Sequence, residues 1–291
     1  MLDEFFQKLQ DLTNGGKGFA VATVIQTEGS ASARTGSKAI INSLGQRVFG
    51  WVGGGCAESA VQFEAVESLK DGQTRVISLN LDDEVLGVGM PCGGSMSVFI
   101  EPYLPKPPLL ILGHGRIAET LAELGHIMGF CVTVNDPSAT KEAFPGADRL
   151  LTEGAGYGNL EIGPDSYVVI ATQHKGDHLS MIRALEGAAP YVALIASKKR
   201  AQLVLDYLAA AGVPREKLSA ARVHAPAGLD LGAQTPEEIA LSVISEIVAI
   251  RRSASCRPLV EVKGVKLSDD DVDVETANQI LSSCSTSTRE L

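Results

Sequence analysis

The sequence predicts an α/β chain: a small mixed α/β N-terminal domain followed by a doubly wound parallel-sheet domain. Three observations carry that expectation. Short apolar runs alternate with stretches of helical periodicity along the chain. The proline-dense stretch "EPYLPKPP", with prolines at 102, 105, 107 and 108, separates two halves of different character, because proline stiffens a chain and removes backbone donors. In the second half each long apolar run leads into a helical stretch, the order that builds parallel strands. The domains expected are 1–101, a linker at 102–108, a second domain at 109–252 and a tail at 253–291.

The elements of the first domain follow in order. Phe5, Leu9 and Leu12 fall on one helical face, and "NGG" at Asn14 to Gly16 stops that helix. "FAVATVI" reads as a buried strand, and "SKAIIN" and "QRVFGWV" read as two short strands around the turn "SLG". Ala60, Phe63 and Val66 predict a helix to about Leu69, and "TRVISL" and "SMSVFIEP" are the next strands.

The second half opens with "PLLILGHGRIAETLAELGHIMGFCVTVND", which reads strand, glycine turn, helix, strand. Ile117, Leu121, Leu124 and Met128 form the helical face. "SYVVIAT" and "YVALIAS" are further buried strands, each followed by a helix. "TPEEIALSVISEIVAIRR" is a strong helix, with Thr235 as N-cap, Pro236 at the first position, Glu238 completing a capping box, and Arg251 and Arg252 suited to its C-terminal dipole. The tail, "SDDDVDVE" and then "SSCSTSTREL", is acidic and then Ser/Thr-rich, and is expected to be partly mobile.

Within this frame Gly113-His114-Gly115-Arg116-Ile117-Ala118 matches G-x-G-x-x-G/A between a strand and a helix. Asp136 ends the next strand roughly 20 residues on, where a ribose-binding acid stands in a dinucleotide fold. The second domain is therefore Rossmann-like. Glycine lets backbone approach a pyrophosphate, the helix N-terminus favours its charge, and Asp136 can accept from ribose hydroxyls. Arg116 serves equally as a general anion contact, and a vestigial nucleotide site is the competing reading. In "ATQHKGDHLS", His174 and His178 are four apart, but Gly176 lies between them and Asp177 reads as an N-cap. A polar crevice role for His174 and Asp177 is favoured over a metal pair.

Composition narrows the function classes. The 291 residues suffice for two domains. A net charge of -10 argues against a nucleic-acid or anionic-membrane surface. The start, "MLDEFFQKLQDL", lacks a basic leader pattern, and no apolar run approaches a membrane span. Five widely spaced cysteines read as reduced thiols, which points to the cytoplasm.

Two of those cysteines sit on glycine-rich turns. In "WVGGGCAES", Gly53, Gly54 and Gly55 free backbone N–H groups to point one way, and Cys56 at a helix N-terminus gains thiolate character, with Glu58 in the first turn. "GMPCGGSM" places Cys92 before Gly93 and Gly94. If the turns converge, they make a pocket for an anionic ligand with a soft metal or sulfur centre. For either cysteine alone, a small buried hydrophobe is the bland alternative. "TEGSASARTGSKAII" adds Arg34 and Lys38, as a phosphate clamp or an ordinary hairpin connection. Cys131 reads as structural, and Cys256 and Cys284 as incidental.

"TEGSASARTGSKAII", "GWVGGGCAE", "GMPCGGSMSVFIEP", the G-x-G stretch and "VHAPAGLDLGAQTPEEIALSVISEIVAIRR" together resemble the XdhC/CoxI family of xanthine dehydrogenase accessory proteins, from about Gly18 to Arg252. The resemblance implies a chaperone that binds molybdenum cofactor in its molybdopterin form, protects it during sulfuration and delivers it to a molybdenum hydroxylase apoenzyme. A cysteine desulfurase is the implied second partner, and a homodimer the implied assembly. It implies that Cys92, or Cys56 as second candidate, contacts the molybdenum end, while Gly53, Gly54 and Gly55 hold phosphate or pterin. Ala193 and Ala196 stand where the family has glycines, and their methyls restrict close ligand approach. The rival readings are an NAD(P)-dependent oxidoreductase built on Gly113, Gly115, Ala118 and Asp136, and a maturation enzyme that carries sulfur as a persulfide on Cys92.

Overall fold

The computed structural model of the chain describes residues 2–29, 31–80, 94–152, 160–173 and 176–264. It is an α/β protein with two sheets, one antiparallel and one wholly parallel.

The first sheet has the order β3-β2-β1-β5-β4, from β1 (Phe19–Gly29), β2 (Lys38–Asn42), β3 (Arg47–Gly50), β4 (Arg75–Asn80) and β5 (Gly94–Tyr103). The run "FAVATV" is apolar at nearly every position because β1 is covered on both faces. Ala20, Ala22 and Val24 point to α2 (Cys56–Asp71) and pack with Val61, Ala65, Val98 and Ile100. Phe19 and Val21 point the other way, to Phe5, Leu9 and Leu12 of α1 (Leu2–Asn14). The predicted face of α1 therefore holds.

That of α2 does not. The helix starts at Cys56, as expected, but it buries Ala57, Val61, Ala65 and Ser68, leaving Phe63 64% exposed. Small residues at helical spacing form the true stripe, and the larger phenylalanine points away from it.

The second sheet has the order β11-β10-β9-β6-β7-β8, all parallel. Its strands are β6 (Pro108–Gly113), β7 (Cys131–Asn135), β8 (Arg149–Leu151), β9 (Tyr167–Ala171), β10 (Tyr191–Leu194) and β11 (Val223–His224). Counted from β6 the spatial order is 3-2-1-4-5-6, the doubly wound dinucleotide arrangement.

Alternate residues feed two cores. Leu109, Ile111, Val132 and Val134 pack on α3 (Arg116–Ile127) and α6 (Pro236–Arg251), while Leu110, Leu112, Val168 and Ile170 pack on α4 (Asp177–Glu186) and α5 (Lys198–Ala210). Each fully buried leucine or isoleucine here contributes about 1.5–3 kcal/mol. The helical face expected of α3 holds at Ile117, Leu121 and Leu124, but Met128 is exposed, and Ala118, Ala122 and Gly125 complete the contact. Gly125 lies so close to Leu109 that a Cβ would stand 2.5 Å from its Cδ2.

The capping box of α6 is present as expected, with Pro236 at its start. Arg251 does more than face the dipole, since its guanidinium sits 5.5 Å over the Phe130 ring. β8 and β11 have no counterpart in the sequence pattern, because strands of three and two residues carry no periodicity. Between the sheets, β5 runs to Tyr103 and β6 starts at Pro108, so residues 104–107 alone carry no strand. Of the tail, residues 253–264 are described and include α7 (Leu259–Lys263). Among the described residues, no helix is long and apolar enough to cross a membrane.

Candidate functional site

Two regions hold the residues singled out from the sequence. In the first unit, the three glycines lead directly into α2. Gly55 caps that helix with φ 57° and, among the described residues, no side chain bonds its first turn. Among the described residues, no side chain therefore occupies the leading N–H groups of α2. Gly54 and Gly55 are exposed, and no described atom lies within 4 Å of where a Cβ would stand on either. Gly53 is buried, and a Cβ there would meet Ser32 Oγ, Ala57 Cβ and Met96 Sδ at 3.4–3.8 Å. The glycine turn therefore packs near the start of β5.

At that start Gly94 pairs with Gly29 and lines a cleft of about 460 Å³ with Glu28 and Asn80. Cys56 is the first residue of α2. Cys92 and Gly93, with the molybdenum contact expected of Cys92, lie outside the described residues. Glu58 accepts from Arg47 Nε at 2.5 Å, and Arg47 also donates to the Gly50 carbonyl at 2.6 Å. This pair ties α2 to β3, so Glu58 has a structural partner that the sequence does not signal. Lys38 donates to Thr23 Oγ1 at 2.8 Å across two strands, and the Arg34 N–H donates to Ser37 Oγ at 3.2 Å within the turn.

In the second unit the G-x-G turn follows β6, as expected. Gly113 has φ +128°, and a Cβ there would stand 2.3 Å from the Ala171 carbonyl oxygen, so the first glycine is needed for β6 to lie beside β9. Gly115, at φ +88°, caps α3 with no side-chain bond among the described residues. A Cβ on Gly115 would fall 2.1 Å from Gln173 Nε2, so the side chain of Gln173 lies over the second glycine of the motif. Gln173 itself has φ +50°, unusual for a residue with a side chain, and donates to the His114 carbonyl at 3.4 Å.

Asp136 stands at the end of β7, where the motif predicts it, with both oxygens engaged. Oδ2 accepts from His114 Nδ1 at 2.8 Å; Oδ1 accepts from the Ser138 N–H at 2.8 Å and from Ser138 Oγ at 2.5 Å. Burial pushes this carboxyl up, but the bonds from Ser138 and His114 outweigh it and hold it below its ordinary value. Arg116 opens α3 and is paired through Nε with Glu237 Oε1 of α6 at 2.8 Å.

His174 lies outside the described residues. The expectation that Asp177 caps α4 is corrected: Gly176 is the cap, in the left-handed region, and Asp177 is the first helical residue. At 2% exposure it accepts from Thr172 and pairs with Arg200 Nε at 3.0 Å. Its neighbour His178 packs edge-on against Tyr207.

These features border a cavity of about 730 Å³ at the carboxyl ends of β6, β9, β10 and β11, where ligands bind in doubly wound sheets. Gln173, Ser197 and the run 229–233 line it and are not among the expected site residues, although 229–233 lies within the family-like stretch "VHAPAGLDLGAQ". The signal that marks Ser197 is a serine directly after the apolar run "YVALIA": it is the N-cap of α5, and its side chain accepts from the Arg200 N–H. Behind the cavity, Glu246 of α6 accepts from Tyr191 Oη at 2.7 Å, His224 Nδ1 at 3.0 Å and the Gly228 N–H at 3.0 Å. Burial raises the Tyr191 hydroxyl far above its ordinary value, with Glu246 adding to it. Among the described residues, no group of three or more His, Cys, Asp or Glu side chains is placed to hold a metal ion.

Fold and site together define a two-unit α/β protein: an antiparallel unit with a glycine-cysteine helix start, joined to a Rossmann unit with an open crevice. The family model described as the XdhC Rossmann domain matches residues 109–247, and that described as the XdhC and CoxI family matches residues 12–80. The chain belongs to the XdhC and CoxI family.

Similar proteins include the uncharacterized protein YqeB of Escherichia coli (strain K12), 33% identical over 243 residues, covering 81% of this chain. The chain spans only 44% of the length of YqeB. The molybdenum cofactor insertion chaperone PaoD of the same organism is 26% identical, over 84% of this chain and 87% of PaoD. A Bacillus subtilis (strain 168) protein described as a probable xanthine dehydrogenase subunit is 24% identical, over 86% of this chain and 98% of that protein. A crystal structure described as a xanthine dehydrogenase from Bacillus halodurans matches with a TM-score of 0.46 at 21% identity, over 88% of this chain and 98% of that one.

Proposed function

We propose that this chain is a molybdenum cofactor-binding chaperone, which protects its cargo during sulfuration and hands it to a molybdenum hydroxylase apoenzyme of the xanthine dehydrogenase type. The observation that carries the reading is the start of α2, where exposed glycine backbone leads into Cys56 and, among the described residues, no side chain caps the first helix N–H groups. Such a place accepts a phosphate on its backbone donors and a soft metal end on a thiolate. The relationship to PaoD supports the choice of cargo. Cys92 is the first candidate for the molybdenum contact and Cys56 the second, with Gly53, Gly54, Gly55, Gly93 and Gly94 as backbone donors. A cysteine desulfurase as sulfur source, a homodimeric assembly and a cytoplasmic site of action belong to the same proposal.

The geometry gives less support to an NAD(P)-dependent oxidoreductase, since Gln173 covers Gly115 and His114 occupies the acid that would take the ribose. The test is anaerobic binding of freshly released molybdenum cofactor to the purified protein, with Cys92→Ala and Cys56→Ala alongside. Stoichiometric binding that one of the two variants loses is the expected result. Absence of binding by the unaltered protein overturns the proposal.

A further inference from the structure

The chain leaves α6 as an arm. Every residue from 252 to 264 is exposed, yet the arm keeps a defined path that includes the five-residue helix α7. Its bonds are its own: the Glu261 and Val262 N–H groups donate to the Pro258 carbonyl, and Arg257 Nε pairs with Glu261 Oε2 at 3.2 Å. Leu259, Val260 and Val262 are 69%, 68% and 51% exposed and belong to none of the described cores. A helix this short has no stability of its own in water; packing of an apolar face is what holds such a turn. Leu259 and Val262 are three apart and share that face. Three apolar side chains gathered on an exposed turn mark a contact surface.

Charge indicates what covers it. Arg252, Arg257 and Lys263 against Glu261 give the arm a net charge of +2, while the whole chain carries -10. An acidic surface attracts such an arm, and a second copy of the chain presents one. On that copy α1 joins acidity to an apolar group. Phe6 is 59% exposed, and Asp3, Glu4 and Asp11 against Lys8 give the helix a net charge of -2. Other exposed apolar groups fit less well. Leu203 and Tyr207 lie on α5, which opens with Lys198, Lys199 and Arg200. Phe63 lies on α2, where the neighbouring Glu64 and Glu67 are already paired with Arg75 and Lys70.

We propose that two copies of the chain exchange these arms, residues 252–264 of each lying across α1 of the other. Leu259 and Val262 cover Phe6 of the second copy, and the basic residues of the arm lie among the acids of its α1. The contact is reciprocal, so it closes at two copies. It supplies an interface for the homodimer of the proposed function and rests on that part of the reading alone, not on the cargo.

The mass of the full chain in solution is followed by light scattering and sedimentation across a dilution series, beside Leu259→Asp with Val260→Asp and, separately, Phe6→Asp. The unaltered protein is a dimer, and each variant weakens dimerisation at least about tenfold with an unchanged circular dichroism spectrum. An equimolar mixture of the two variants recovers part of the dimer, because one of the two contacts is then intact. Added salt weakens the unaltered dimer. Hydrogen exchange at residues 259–263 is slowed at high protein concentration and quickens on dilution. A monomeric unaltered protein overturns both this proposal and the homodimer. A dimer that survives either variant, or exchange at 259–263 that ignores concentration, overturns the arm exchange and leaves the homodimer standing.

Discussion

The Nδ1–H of His114 donates to Oδ2 of Asp136 across 2.8 Å, tying the turn after β6 to the end of β7. The acid that the dinucleotide motif marks is thus bound by the residue between the motif's first two glycines. Ser138 completes the arrangement from the far side.

Asp136→Asn should destabilise the protein by about 1–2 kcal/mol near neutral pH, the worth of hydrogen bonds to a charged group. The folded carboxyl titrates below its unfolded value, so the unfolded chain takes up protons first as pH falls. The contribution is complete above the ordinary carboxylate range and disappears as pH drops through the lower, folded value. Urea denaturation of both proteins across that window checks it. A stability gap that stays constant with pH would show that Asp136 acts by shape alone.

Gly113→Ala and Gly54→Ala should separate fold from ligand. Alanine at 113 meets a strained φ and the Ala171 carbonyl oxygen at 2.3 Å, and should cost more than about 3 kcal/mol or prevent folding. At 54 a methyl enters open space, so stability should stay within about 0.5 kcal/mol. Under the chaperone reading, Gly54→Ala nevertheless weakens cargo binding by crowding the start of α2. Normal Tm together with unimpaired cargo binding would remove the glycine turn from the site.

Much of this fold was legible. Thr235, Pro236 and Glu238 announced α6 because caps are local chemistry. The apolar runs of β6, β9 and β10 announced a parallel sheet because both faces are covered. The misses have physical causes. Phe63 is large but exposed, and the buried face of α2 is made of small residues whose pattern is faint. Asp177 looks like a cap in sequence, yet Thr172 and Arg200 draw it into the interior. At the site, the motif located Gly113, Gly115 and Asp136, while the obstruction by Gln173 depends on a left-handed backbone that no sequence pattern signals.

Thr235→Ala should lower stability by about 1 kcal/mol, because the Glu238 N–H loses its acceptor at the start of α6. Since α6 packs on α3 through Val243, Ile244 and Ile247, the loss should register in global unfolding and not only in local fraying. Thermal denaturation with a Thr235→Ser control, which keeps the acceptor, measures it. Equal Tm values for the alanine and serine variants would contradict the capping role.

Glu246→Gln tests the network that holds the segment behind the cavity. The carboxylate accepts three bonds, from Tyr191, His224 and the Gly228 N–H. Glutamine replaces one of its oxygens with a donor, so one of those donors must face another. His224 can relieve the conflict at its Nδ1 only by moving its proton to Nε2, which is buried and has no partner among the described residues. Either outcome leaves an unsatisfied group and should cost about 1–3 kcal/mol.

Burial raises the Glu246 carboxyl, but the bonds from His224, Tyr191 and Gly228 outweigh it and hold the group below its ordinary value. The contribution should therefore be full at neutral pH and fade as pH falls through the folded value, so the gap between variant and parent closes in acid. Because the Gly228 N–H is one of the three donors, its hydrogen exchange should quicken together with that of Leu229, whose own N–H bonds the Ser242 carbonyl of α6. Exchange measured residue by residue distinguishes this from general destabilisation. A variant with parental stability and unchanged exchange at Gly228 would mean that backbone packing, and not Glu246, holds this wall of the cavity.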